Sequence, residues 1–386
     1  MTGILGKQPI RSSGVVGAFA STGIDDNADA TAITIASDES VTLSGDLVPS
    51  TPLSHRNHLI NGAMMVDQRM EGNTYTSTDG ANNDDIYTLD RWLLLSDGND
   101  IVDVSRGAAI TTDGMKAMGL QVENTNKKFG IAQIVENFNC GGLIGNEVTF
   151  SFKAKVSSAT KLDNIKAGII AWSSTKDAVT SDVVSAWGAD GTTPTLASNL
   201  TFENTPANLN VTTTAATYSV SATIDTSSTT NIIVFIWSDV LDTTADDYLY
   251  ISDCQLERGS VATPFEHRSY GEELARCMRY YQTWGGNSGS ERFFVTFAIS
   301  TSQHRGDLTL SPTMRIAPTL SVSDAGDLAI ERYGTNRAAQ SVNFDQTSTK
   351  VASFVINYSS GFDAGEGAHF IANGTTDARV KLTAEL

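Results

Sequence analysis

Apolar and polar residues alternate with period two along most of this chain. Phe150, Phe152, Ala154 and Val156 fall on one side of an extended segment, the pattern of a strand with one buried face. Ile232, Val234 and Ile236 oppose Ile233, Phe235 and Trp237, so this segment is apolar on both faces and is predicted to lie centrally between covering layers. Strand patterns recur at 101–106, 118–123, 131–137, 147–156, 165–172, 209–222, 231–237 and 247–256, with turn clusters between them. Such a run predicts a two-sheet, jelly-roll-like β-sandwich. A second series follows near 292–299, 306–310, 319–323, 327–333, 339–344, 350–358, 365–371 and 378–384. Between the two series, Leu274, Ala275, Met278 and Tyr281 fall at helical spacing, with Glu272 and Glu273 placed for a first turn. The stretch 173–208 is poorly periodic and long enough to be a functional loop.

The fold class expected is therefore all-β. Residues 1–56 form an extended N-terminal arm with a short β-stalk, 57–268 the jelly-roll-like sandwich, 269–286 one connecting helix, and 287–386 a C-terminal β-sandwich. Residues 1–25 are Gly- and Ser-rich without periodicity and read as an arm that orders against a partner. Ile33, Ile35, Val41 and Leu43 then mark two short strands. An isolated hairpin cannot bury them, but identical chains wound round one axis would, as in a trimeric stalk. The bland alternative is a linker that pairs onto its own domain.

Charge narrows the function. Lys and Arg number 26 against 44 Asp and Glu, a formal net charge of −18. Nucleic-acid binding needs a basic face, and docking on anionic lipid needs a cationic one, so neither is expected. No apolar run approaches the roughly 20 residues of a membrane span. The N-terminal segment lacks the apolar core of a secretory signal. Cys140, Cys254 and Cys277 are widely spaced, with no C-x-x-C pair, which suits buried thiols in a protein folded in a reducing cytoplasm.

Several phrases carry a resemblance. Residues 251–282 read ISDCQLERGSVATPFEHRSYGEELARCMRYYQ; earlier come Asn61-Gly62, Gln68-Arg69 and Asp90-Arg91-Trp92; later come Ser311-Pro312-Thr313-Met314-Arg315-Ile316-Ala317-Pro318-Thr319 and a closing Ala384-Glu385-Leu386. Over residues 57–92 and 251–386 this wording resembles tail-fibre and related appendage proteins of tailed bacteriophages. The resemblance implies a structural virion protein, made in the host bacterial cytoplasm. It implies a homotrimer attached to phage tail or capsid proteins through residues 1–50, adhering to a host-surface glycan or receptor. Rival readings are a head fibre or capsid decoration protein, and a polysaccharide depolymerase.

Catalytic signals are weak. There is no G-x-S-x-G elbow, the five histidines form no ligand pair, and adjacent acidic residues in strands point to opposite faces. No enzyme is expected. Sugar binding calls for aromatic platforms beside polar side chains. Trp187, Trp172 and Trp284 sit beside polar loops and are the candidates, whereas Trp92 and Trp237 belong to apolar strands and read as core. No cofactor is expected, with a structural calcium as the open exception. Asp97-Gly98-Asn99-Asp100 and Asp190-Gly191 are oxygen-rich. Likeness to jelly-roll carbohydrate modules adds Asp253 and Glu257 as calcium ligands.

Overall fold

The computed structural model describes residues 33–35, 41–43, 55–69, 74–75, 82–109 and 116–386. The chain divides into two compact units, Met1–Leu47 and Val48–Leu386. In the first, β1 (Ile33–Ile35) and β2 (Val41–Leu43) pair antiparallel, with Ile33 opposite Leu43 and Ile35 opposite Val41. The expected hairpin is present. The remainder of the arm, and the side-chain surroundings on which the stalk assignment of Ile33, Ile35, Val41 and Leu43 depends, lie outside the described residues.

The second unit begins with a sandwich. Its elements are β3 (Ile86–Tyr87), β4 (Leu93–Ser96), β5 (Val102–Ala109), β6 (Lys116–Val122), β7 (Phe129–Val135), α1 (Asn137–Cys140), β8 (Glu147–Val156), β9 (Ile165–Trp172), β10 (Val184–Ala186), β11 (Thr195–Leu196), β12 (Leu200–Phe202), β13 (Ala216–Thr223), β14 (Asn231–Ser238) and β15 (Tyr248–Arg258). Two antiparallel sheets stack, in the orders β12-β9-β14-β7-β4-β3 and β13-β8-β15-β6-β5. The chain changes sheet at most connections, the wiring of a jelly roll. Phe150, Phe152, Ala154 and Val156 face Ile131, Ile169, Ile232 and Val234 across the interior. Burial of each such large apolar side chain stabilises the fold by about 1.5–3 kcal/mol.

Strand β14 is buried at every position, as its two-faced pattern predicts. Its Ile232, Val234 and Ile236 enter the inter-sheet core, and its Ile233, Phe235 and Trp237 enter a second cluster on the outer face. That outer cluster is covered by the segment between β9 and β12, through Val179, Val183, Val184 and Trp187. The cover is pinned by a buried lysine. Lys128 Nζ has four acceptors round it: Asp239 and the carbonyls of Trp187 (3.1 Å), Ala189 (2.6 Å) and Thr192 (2.9 Å). Lys166 Nζ reaches the other Asp239 oxygen at 2.5 Å. A charge this deep persists because hydrogen-bond acceptors and an opposite charge replace its water.

The distal part comprises α2 (Tyr270–Met278), β16 (Tyr281–Gly285), β17 (Arg292–Ser300), β18 (Gln303–Thr309), β19 (Thr319–Val322), β20 (Leu328–Arg332), β21 (Thr335–Thr347), β22 (Val351–Tyr358), β23 (Gly367–Ala372) and β24 (Arg379–Thr383), with a 3₁₀ turn at Ala325–Asp327. Helix α2 starts at the cap Ser269, whose hydroxyl accepts from the Glu272 N–H. It ends at Met278, earlier than its periodicity predicts. Tyr280 N–H bonds Cys277 O, and Tyr281 then leads β16 into a sheet of order β16-β24-β19. Helical spacing at Tyr281 therefore loses to pairing with the C-terminal strand. The C-terminal β domain also differs from the expected sandwich. Strands β17-β18-β22-β21-β20-β23 close into a barrel around Ile330, Phe354, Ile356 and Phe370. Closure satisfies every edge, which two open sheets of this size would leave exposed. Gly306 permits it at one tight point, where a Cβ would lie 2.7 Å from Thr296 Cγ2 and 2.8 Å from Val295 O.

Candidate functional site

The tryptophans expected as platforms are mostly covered. Trp172 and Trp187 are 6% and 7% exposed. Trp187 packs edge-on against Phe235, and Trp172 Nε1–H donates to Thr175 O. Both belong to the outer cluster of the sandwich, so neither offers a free indole face to a sugar. The loop-rich segment supplies a third layer, and its tryptophan is the apolar side of that layer. Trp284 is half-buried on β16 and packs against the barrel core.

The acidic candidates have protein partners. Asp253 sits at a bulge of β15 with positive φ, and Lys153 Nζ lies 2.8 Å from its carboxylate. Glu257 is fully buried. It accepts from Thr263 N–H (2.8 Å), Thr263 O–H (2.7 Å) and Gln255 Nε2–H (2.9 Å), with Arg56 at 3.4 Å. The Gln-Leu-Glu strand end thereby fastens the segment that follows it. Asp97 pairs with Lys127, Asp100 accepts from Asn82, and Asp190 accepts from Leu241 N–H. Among the described residues, no group of three or more His, Cys, Asp or Glu side chains is arranged to hold a metal ion. Nor is any described helix long and apolar enough to cross a membrane.

The phrases that carried the family resemblance meet at one place, the joint between sandwich and barrel. Glu385, next to the last residue, is gripped by Arg91 and by Arg69 (2.6 Å). The Arg91 guanidinium lies 3.8 Å from the Tyr280 ring centroid and that of Arg69 3.7 Å from the Tyr281 ring centroid. Arg315 donates to the carbonyls of Ala384 (2.8 Å) and Glu385. Gln68 bonds both Asp90 oxygens and also Tyr281 O. Burial pushes the Asp90 carboxyl up to about 6, against the opposing pull of Arg69 and Gln68. Such cation–π and charge-assisted contacts gain strength when water is excluded. In this chain these residues hold the barrel against the sandwich.

On the barrel surface lies a groove of about 500 Å³, lined by Arg292, Val295, Glu331, Arg332, Tyr333 and His369 among others. Three strands build its floor, with Val295 of β17 opposite His369 of β23 and His369 opposite Glu331 of β20. Tyr333 and Gly334 form the two-residue turn between β20 and β21, where Arg332 pairs with Thr335. Both have positive φ, 52° and 77°, as a type I′ turn requires. Asn or Gly normally takes the first position; a bulky L-residue there costs about 1–2 kcal/mol. The ring gains nothing back by burial, since Tyr333 is 90% exposed. One ring face carries the Arg332 guanidinium at 4.7 Å. The Gly334 N–H holds the Glu331 carboxyl below its usual range, assisted by Arg292 at 3.0 Å. Arg332 is itself braced by Glu366 at 2.5 Å. The sequence pattern places Tyr333 at the end of a strand. The available signal was Tyr-Gly at hairpin spacing, a turn dipeptide with an unfavoured first member.

No protein-family model matches the chain, and no curated protein matches it. Solved structures similar to part of it include the enzymatically active domain of bacteriophage CBA120 tailspike protein 4. That pair shares 13% identity and a TM-score of 0.30 over 52% of this chain and 21% of the tailspike chain. A putative sugar-binding protein from Bacteroides thetaiotaomicron VPI-5482 aligns at 12% identity and TM-score 0.33, over 53% of this chain and 100% of that one. The module TmCBM61, solved with β-1,4-galactotriose, aligns at 13% identity and TM-score 0.26, over 53% and 99%. Likeness of this degree carries no argument about function.

Proposed function

We propose that this chain is a structural adhesin of a bacteriophage virion, a homotrimeric fibre subunit that binds a host-surface glycan through the Tyr333 groove. The observation that carries this reading is Tyr333 itself. Strain at an exposed turn, kept for a side chain with no packing role, points to a ligand. An aromatic face beside two arginines, a histidine and a carboxylate suits a sugar ring, whose C–H face stacks and whose hydroxyls need polar partners. The groove is lined by a single carboxylate, already bonded, which supports holding a glycan over cleaving it by a two-carboxylate mechanism. Identical copies would multiply a weak contact by avidity. The joint at Glu385 supports this role, since it holds the barrel firmly to the body that presents it.

The test is Tyr333→Asn. Asn suits the first position of the turn, so the melting temperature is expected to hold or rise while glycan-array and host-cell binding are lost. Unchanged binding by a stable Tyr333→Asn protein would refute the site. A native mass measurement reads the assembly, and a monomer would remove the fibre reading.

A further inference from the structure

Resting on that adhesive reading, we propose that the groove selects acidic saccharides, with Arg292 taking the carboxylate of the sugar. The chain carries −18 overall, yet two of the groove's lining side chains are guanidinium groups, each with a carboxylate partner, Glu331 for Arg292 and Glu366 for Arg332. The Glu331 carboxylate is already occupied. One Glu331 oxygen accepts from Gly334 N–H at 2.8 Å and the other from Arg292 at 3.0 Å. Arg332 is committed to Glu366 and to the Tyr333 ring. Arg292 differs from it. Its side chain is 59% exposed, and its ion pair with Glu331 uses one end of a planar group with five N–H donors. That exposure leaves further donors of the fork accessible to a ligand carboxylate, which a guanidinium can hold bidentately. Charge elsewhere on the chain does not forbid an anion. At physiological salt the Debye length is about 8 Å, so distant carboxylates are largely screened and the contacts made within the groove decide. The ring stacks on Tyr333, Arg292 holds the acid, and His369 is placed for hydroxyls.

The experiment titrates the full-length protein with a panel of uronate- and sialate-bearing oligosaccharides, each beside its own neutral methyl ester. The acids are expected to bind about ten-fold more tightly than their esters, the gain of one partly exposed charge-assisted contact. That gap is expected to shrink in about 0.5 M salt. Arg292→Gln closes it and Arg292→Lys restores part of it, while Tyr333→Asn removes binding of acid and ester alike. Equal binding of acids and esters, lost in Tyr333→Asn, would overturn the acidic selectivity and leave the adhesive groove standing. Binding that survives Tyr333→Asn unchanged would place the glycan elsewhere and sink both readings. A panel in which no acid binds would overturn the proposal as well.

Discussion

Glu385→Ala tests the joint, because it leaves two cations behind. The side chains of Arg91 and Arg69 are 2% and 9% exposed, and that of Glu385 is 5% exposed. Removing one partner of a buried ion pair costs about 3–5 kcal/mol, mostly for the charge left unpaired. A second guanidinium left without its carboxylate raises the cost, and the Ile134 carbonyl, which accepts from Arg91, offsets part of it. We expect a loss of about 3 kcal/mol, with Arg91 dominating because it is the deeper of the two. Urea unfolding followed by tryptophan fluorescence reads the change as a lower midpoint at unchanged slope. Calorimetry adds a second signature: the variant is expected to melt in one transition at a lower temperature. Arg276→Ala serves as the control. It breaks the exposed Arg276–Glu272 helix pair and should change stability by no more than about 0.5 kcal/mol. Replacing the charges together, as Arg69→Met, Arg91→Met and Glu385→Leu, should recover much of the loss, since a packed apolar cluster carries no desolvation penalty. A loss below about 1 kcal/mol in Glu385→Ala would mean that water already solvates the joint, and the reasoning would fail.

Two further outcomes follow from buried basic side chains. His304 is fully buried in the barrel between Tyr358 and Phe362, and burial lowers it from its ordinary 6.5 to about 4. The native imidazole stays neutral while the unfolded chain takes up a proton below 6.5, so this group's contribution to stability falls as pH drops from 6.5 towards 4. The 2.5-unit gap, 6.5 less 4, sets an upper limit of about 3–4 kcal/mol. Melting temperature against pH should show this acid slope in the wild type and a shallower one in His304→Gln; identical slopes would refute it. Lys128→Met orphans the carbonyls of Trp187 and Thr192, leaves Ala189 O to the Thr192 N–H, and leaves Asp239 to Lys166 alone. A loss of about 3–5 kcal/mol is expected, with faster hydrogen exchange across 187–192. Unchanged exchange there would show that the cover is not held by the lysine.

Patterning was most legible where one residue's environment is decided by its own strand. The alternation in β8 and the double-sided run in β14 marked their burial before any packing was known, because a strand sends successive side chains to opposite faces. Trp187 escaped that logic. It lies in an aperiodic segment, and whether its indole is a platform or a lid depends on Phe235, distant in sequence and brought beneath it by the sheet. Glu385 is the same case at longer range: nothing beside it announces a partner, and Arg69 and Arg91 lie some 300 positions away.

Sequence alone determined that this is an all-β chain with one helix of consequence, and which strands are buried on one face or both. The reason is local, since side-chain direction alternates wherever the backbone is extended. Only the tertiary structure decided that the distal strands close into a barrel, that Arg69, Arg91 and Glu385 form a joint, and that Tyr333 rather than a tryptophan is left bare. Those outcomes depend on which surfaces cover one another, and covering is settled by residues far apart along the chain.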